Sequence, residues 1–116
     1  MQPAKLIEIY CSEQDRYDGK PLYEAIVERC RELRIGGATV LRGLEGYGET
    51  SAIHRHRALQ HDQPITVIVV DSASQVQSLT LTVEAMLDKG MLTVSDVRVR
   101  RVQSDSAVSA DGEEPS

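Results

Sequence analysis

The sequence predicts an α+β domain in which strands and helices follow the order βαββαβ, with two helices covering one face of a four-stranded antiparallel sheet. Three observations predict it. Four short stretches show strand patterning, as period-2 alternation or a brief continuous apolar run. Two stretches between them repeat apolar residues at helical spacing. Glycine or proline marks most of the boundaries. The chain has 116 residues, which suits one domain. Its apolar content is 41% with four Tyr and no Phe or Trp, so the core is built from Val, Ile, Leu, Ala and Met.

Residues 5–11 (KLIEIYC) read as the first strand, with Ile7, Ile9 and Cys11 on one face and Leu6, Glu8 and Tyr10 on the other. A polar loop follows. Residues 21–34 read as a helix, because Pro21 suits a first turn and Leu22, Ile26, Cys30 and Leu33, with Val27, form a stripe. Gly36 and Gly37 are expected to supply its left-handed stop. Residues 38–45 read as a second strand running into Gly46-Tyr47-Gly48, and residues 49–64 as a polar loop in which 51–59 can form a helical turn or two. Residues 65–70 (ITVIVV) are the clearest strand, apolar on both faces, so both faces should be covered.

Ser72 and Gln75 have capping-box spacing at the start of a second helix. Val76, Leu79, Val83, Met86 and Leu87 form its expected buried stripe, and Gly90 its end. Residues 94–102 contain the last strand, where Val97 and Val99 alternate with Arg98 and Arg100. Right-handed crossovers in this order place both helices on one face, as in ferredoxin-like folds. The other face is then bare and apolar in part, and is expected to be buried in an oligomer. The domain is read as residues 1–102, and residues 103–116 as a disordered acidic tail.

The formal charge is −5, and the tail carries four of those charges as Asp105, Asp111, Glu113 and Glu114. The body is left near neutral at −1, which gives no support to bulk binding of nucleic acid or an anionic membrane. Tyr10, a single strand aromatic, is not the stacking platform that RNA-binding sheets use. Cys11 and Cys30 fall at apolar positions without a C-x-x-C pairing and read as small hydrophobes. No signal peptide pattern opens the chain, and the cytoplasm is the expected location. Neither cysteine has a sequence-visible base, the serines sit in caps or the tail, and no catalytic set is expected.

The segments Asp15-Arg16-Tyr17-Asp18-Gly19-Lys20-Pro21-Leu22-Tyr23-Glu24 and Gly37-Ala38-Thr39-Val40-Leu41-Arg42-Gly43-Leu44-Glu45-Gly46-Tyr47-Gly48 resemble a PII-like family known as domain of unknown function 190. The resemblance covers about residues 4–102. It implies a ferredoxin-like homotrimer that binds a small ligand, an adenine nucleotide first among the candidates, in clefts between subunits. It also implies that binding reshapes the long loop after the second strand, which then docks on a transporter or an enzyme. Thr39, Arg42, Gly46, Tyr47, Gly48, Gly90, Arg98, Arg100 and Arg101 are the positions it implies for the ligand. The turn KGMLTVSD departs from the glycine-aspartate-glycine-lysine of PII proteins, so a nucleotide other than ATP, or a small anion, fits the resemblance as well.

Residue chemistry offers its own reasons at several of these positions. Glycines such as Gly46 and Gly48 let a backbone approach a phosphate, although the same pair also ends a strand. Guanidinium forks at Arg42, Arg98, Arg100 and Arg101 match phosphate oxygens, or else guard a solvated strand edge. His54-Arg55-His56-Arg57 is a titratable basic patch that suits anion contact or partner docking, or is a solvated helical face. With His61, Asp62 and Glu49 nearby, the same histidines keep open a metal-binding trimer of the CutA kind. Arg16 and Lys20 could hold an anion at the start of the first helix, where Asp18-Gly19 is otherwise plain turn chemistry. An enzyme acting on a phosphorylated small molecule is the remaining alternative.

Overall fold

The computed structural model describes residues 1–44 and 63–103. The expected βαββαβ order is present: strand β1 (Gln2–Ser12), a two-residue pair β2 (Arg16–Tyr17) and β3 (Lys20–Pro21), helix α1 (Leu22–Glu32), strands β4 (Thr39–Arg42) and β5 (Pro64–Asp71), helix α2 (Ala73–Met86), and strand β6 (Met91–Val99). The main sheet runs β4-β5-β1-β6 with every neighbour antiparallel.

Register assigns the faces. Ile7 opposes Val69, Ile9 opposes Val67 and Cys11 opposes Ile65, and all six are buried beneath the helices. Leu22, Ala25, Ile26 and Cys30 of α1 and Val76, Leu79, Val83 and Met86 of α2 close the core from above. Leu87, expected in the same stripe, lies at the C-cap and is half-buried. On the other face Leu6 opposes Val70, Glu8 opposes Ile68 and Tyr10 opposes Thr66. That face is open: Val70 is 40% exposed, Leu41 52% and Met91 57%. The two-sided apolar character of β5 is therefore used on one side only within the chain.

Several boundaries differ from the expected ones, each for a physical reason. The left-handed residue after α1 is Arg34 (φ 61°), not Gly36 or Gly37. Arg34 N donates to Arg31 O and Ile35 N to Cys30 O, both at 3.0 Å, which is the Schellman pattern. Ile35 turns into the core beside Cys30 and fixes the arrangement. Asp18 (φ 53°) and Gly19 (φ 80°) form a tight left-handed turn that pairs Tyr17 with Lys20, a small hairpin inside the segment expected as loop. Strand β6 begins at Met91 rather than Val94, because the whole of Met91–Val99 pairs with β1, from Tyr10 back to Gln2. Strand β4 ends at Arg42, three residues short of the expected Glu45.

The start of α2 realises half of the capping box. Ser72 Oγ accepts from Gln75 N at 3.2 Å. Gln75 Nε2 does not return to Ser72 but donates to Leu33 O at 2.8 Å, tying α2 to the end of α1. Asp71 completes the junction, since its Oδ1 accepts from Ser72 N and its Oδ2 from Gly36 N. No helix among the described residues is long and apolar enough to cross a membrane.

Candidate functional site

Two glycines mark one end of the sheet. Gly43 follows β4, and its N–H donates to Pro64 O at 2.8 Å. A Cβ there would fall 2.8 Å from Pro64 Cγ, so only glycine lets the strand end lie this close to β5. Gly90 precedes β6 with φ 131°, and a Cβ there would sit 3.0 Å from Tyr10 O. Both positions lie at the Cys11 end of β1, because Arg42 opposes Ile65, Ile65 opposes Cys11, and Met91 opposes Tyr10. Residues 45–62 leave the described chain at this same end. Gly46, Tyr47 and Gly48, and the patch His54, Arg55, His56 and Arg57, lie outside the described residues, as do His61, Asp62 and Glu49.

The arginines are divided. Arg42 is on the edge strand β4 and faces the helix side, where it pairs with Glu13 at 3.3 Å. Arg98 is on the opposite edge strand and opposes Pro3, at the far end of β1. Arg98 lies eight residue steps along the chain from Gly90, about 26 Å at strand rise. One chain therefore does not bring Arg42, Gly90 and Arg98 together. Thr39 is exposed at mid-sheet on the open face, opposite Ile68.

Arg98, Arg100 and Arg101 do form a local cluster. All three are exposed, and among the described residues none has an ion pair. The acid nearest Arg98 on its own face of β6 is Asp96, which is paired with Lys5. Arg100 and Arg101, with Met1, Gln2 and Val99, line a shallow depression of about 340 Å³ between the ends of β1 and β6. Guanidinium groups at such a depression can take phosphate or carboxylate oxygens without first breaking an internal pair.

The open face holds a polar centre around Glu8. Glu8 Oε1 accepts from Tyr10 Oη at 2.9 Å and from Thr93 Oγ1 at 3.3 Å. The hydrogen bond to Glu8 raises the Tyr10 hydroxyl above its ordinary pKa, with a smaller push from burial. No lysine or arginine is in the registers of this face, from Gln2 to Tyr10 on β1 and across to β5 and β6. Alternation in β1 places Glu8 there. The same alternation puts Tyr10 beside it on β1, whereas Thr93 comes from a cross-strand register that sequence periodicity does not reveal.

Other candidates have structural partners. Lys20, considered for an anion at α1, is held by Glu28 at 2.9 Å. That contact depresses the Glu28 pKa. Arg29 stacks over the Tyr17 ring at 5.8 Å and fastens the small hairpin to α1. Cys11 and Cys30 are both buried, and burial pushes the Cys11 thiol up to about 12 and raises that of Cys30. Such thiols are poor nucleophiles at neutral pH. Among the described residues no group of three His, Cys, Asp or Glu converges as a metal site would require.

Comparison with known proteins agrees with the fold. A curated relative from Aquifex aeolicus, named UPF0166 protein, is 33% identical over 97 residues, covering 82% of this chain and 91% of the relative. A second, from Methanocaldococcus jannaschii, is 29% identical over 104 residues, covering 85% and 94%. A structure described as PII-like and signalling, from Thermus thermophilus, matches with a TM-score of 0.62 at 19% identity, covering 84% of this chain and 90% of that one. The nitrogen-regulatory PII-like protein CPII from Thiomonas intermedia, bound to ADP, AMP and acetate, matches with a TM-score of 0.59 at 21% identity, covering 86% and 91%. The fold is thus that of PII-like proteins. Residues 4–99 match the family model of domain of unknown function 190, described as "Uncharacterized ACR", and the chain belongs to that family.

Proposed function

We propose that this chain is a subunit of a PII-like homotrimer that senses an adenine nucleotide by binding rather than by turnover. The observation that carries the reading is the separation of its phosphate-handling features along one strand. Gly90 and Arg98 sit at opposite ends of β6, about 26 Å apart, too far for one nucleotide to touch both in a single chain. A second copy that brings its Arg98 end to the Gly90 end of the first would complete a cleft between subunits. The open, partly apolar sheet face supplies surface on which copies can associate. CPII, which shares the fold, has been solved with ADP and AMP.

In this reading Gly90, with Gly46, Tyr47 and Gly48, lets backbone approach the nucleotide, and Arg98, Arg100 and Arg101 of the adjacent copy take its phosphates. Thr39 and Arg42 lie on the strand that leads toward the cleft. Nucleotide binding would reshape the loop that carries His54, Arg55, His56 and Arg57, and that loop would dock on a transporter or an enzyme in the cytoplasm. Coupling requires the two loop states to differ in nucleotide affinity.

Thermal unfolding with ADP, AMP, ATP and divalent metals tests this. A nucleotide at 100 times its Kd should stabilise the fold by about 2.7 kcal/mol, and Arg98→Ala with Arg100→Ala should abolish the shift. A response to metal alone would replace this reading with the CutA-like one. Slow hydrolysis of bound nucleotide would replace it with the enzymatic one.

A further inference from the structure

We infer that the carboxyl of Glu8 takes up a proton when a second copy covers the open sheet face, so that acid favours assembly and base opposes it. Proton uptake rests on the reading that copies meet on this face, and its sign is set by what surrounds the carboxyl. Glu8 is half-buried within the face, with Leu6 and Tyr10 beside it on β1, Ile68 opposite on β5 and Thr93 opposite on β6. Among the described residues it is the only charged side chain in the registers of that face. Lys5 and Arg42 lie on the helix side, paired with Asp96 and Glu13, and Arg98, opposite Pro3, is on that side too. A face so nearly free of charge suits a second copy of itself better than a partner of opposite charge.

Both hydrogen bonds to Glu8 reach one oxygen. Tyr10 Oη donates to Oε1 at 2.9 Å and Thr93 Oγ1 donates to the same atom at 3.3 Å. Oε2 has no donor among the described residues, which costs little while the face is open to water. A second copy closing over the face removes that water. An ionised carboxylate with one unserved oxygen and no cation is then costly to bury, and the group neutralises instead. The proton comes from solvent onto Oε2, while Oε1 keeps both hydroxyl donors, so no existing hydrogen bond is broken. Tyr10 does not supply it, because its hydrogen bond to Glu8 raises the hydroxyl above its ordinary value. Alternate residues of β4, β5 and β6 complete the surroundings, from Leu41 through Ile68 to Thr93, and none of them titrates. The assembled state thus binds more protons than the separate chains, and assembly tightens as pH falls. A nucleotide held between copies would bind more tightly with it.

The test compares the full chain with Glu8→Gln by infrared difference spectra and by sedimentation. The amide is neutral at every pH and keeps an oxygen for Tyr10 and Thr93. At about pH 6, where a water-exposed glutamate is ionised, the assembled wild type should show the carbonyl stretch of a protonated carboxyl that Glu8→Gln lacks. From about pH 8 to about pH 6 the wild-type concentration for half-assembly should fall at least about tenfold, and that of Glu8→Gln by less than about twofold. His54, His56 and His61 titrate in both chains alike and cancel in the comparison. Where assembly persists at the lowest concentration read, the infrared band alone decides. An assembled wild type without the band, or with the same pH response as the variant, would overturn the proton uptake and leave the assembly reading standing. Monomers in both chains across that range would overturn both.

Discussion

At the scale of single residues, backbone strain and burial decide more than charge does. Arg34 holds a left-handed conformation in which a β-carbon costs roughly 1–2 kcal/mol. Arg34→Gly relieves that strain while loosening the unfolded chain, and a net gain of about 0.5–1 kcal/mol is expected as a higher denaturant midpoint. The sequence reading placed this turn two residues late, because Gly36 and Gly37 are stronger left-handed signals than arginine. What selects Arg34 is the fit of Ile35 into the core beside Cys30, a tertiary contact.

Cys11 gives a pH dependence with a definite sign. The folded thiol keeps its proton to about 12, whereas its ordinary value is 9.0. The unfolded state therefore sheds that proton first, and stability falls as pH rises through the window from 9 to 12, with no effect below it. Denaturant midpoints measured from pH 8 to 11 should decline, and less steeply in Cys11→Ala. A thiol reagent at pH 8 should label neither cysteine until the chain is unfolded.

At the scale of elements, the junction between β5 and α2 concentrates the local order. Ser72→Ala removes the acceptor for Gln75 N and should cost about 1 kcal/mol. Asp71→Ala should cost more, because it frees both Ser72 N and Gly36 N and unties the loop before β4. Equal midpoints for the two variants would contradict this. Capping at Ser72 was legible from its spacing to Gln75. The diversion of the Gln75 amide to Leu33 was not, since it depends on how α1 and α2 pack. Strands β1 and β5 were legible because alternation and a continuous apolar run both survive burial. The extent of β6 was less so, because Met91 to Thr93 carry no alternation of their own and are drawn into the sheet by the length of β1.

At the scale of the whole molecule, the proposed assembly rests on the open sheet face and on the separation of Gly90 from Arg98. The face carries Leu6, Ile68, Val70 and Met91, but also Glu8 with no cation in its registers. Covering that face removes the carboxylate from water with only two hydroxyl partners. Glu8→Gln is therefore expected to tighten self-association, seen by sedimentation as assembly at lower concentration. Ile68→Lys places a charge at the centre of the same face and should yield a folded monomer. The expectation of a covered second face arose from residues 65–70, apolar on both faces, together with Leu6, Tyr10 and Leu41. The separation of Gly90 from Arg98 was hidden until register assigned them to opposite ends of one strand.

The most direct measurement is a calorimetric titration of ADP into the wild-type chain and into folded, monomeric Ile68→Lys. Position 68 is on the open face and lies well away from both Gly90 and Arg98 in the sheet registers. If the nucleotide binds between copies, the wild type should take up one ADP per subunit and the monomer should bind at least about tenfold more weakly. Equal affinity in the monomer would contradict a shared site, and would place the nucleotide wholly within one chain.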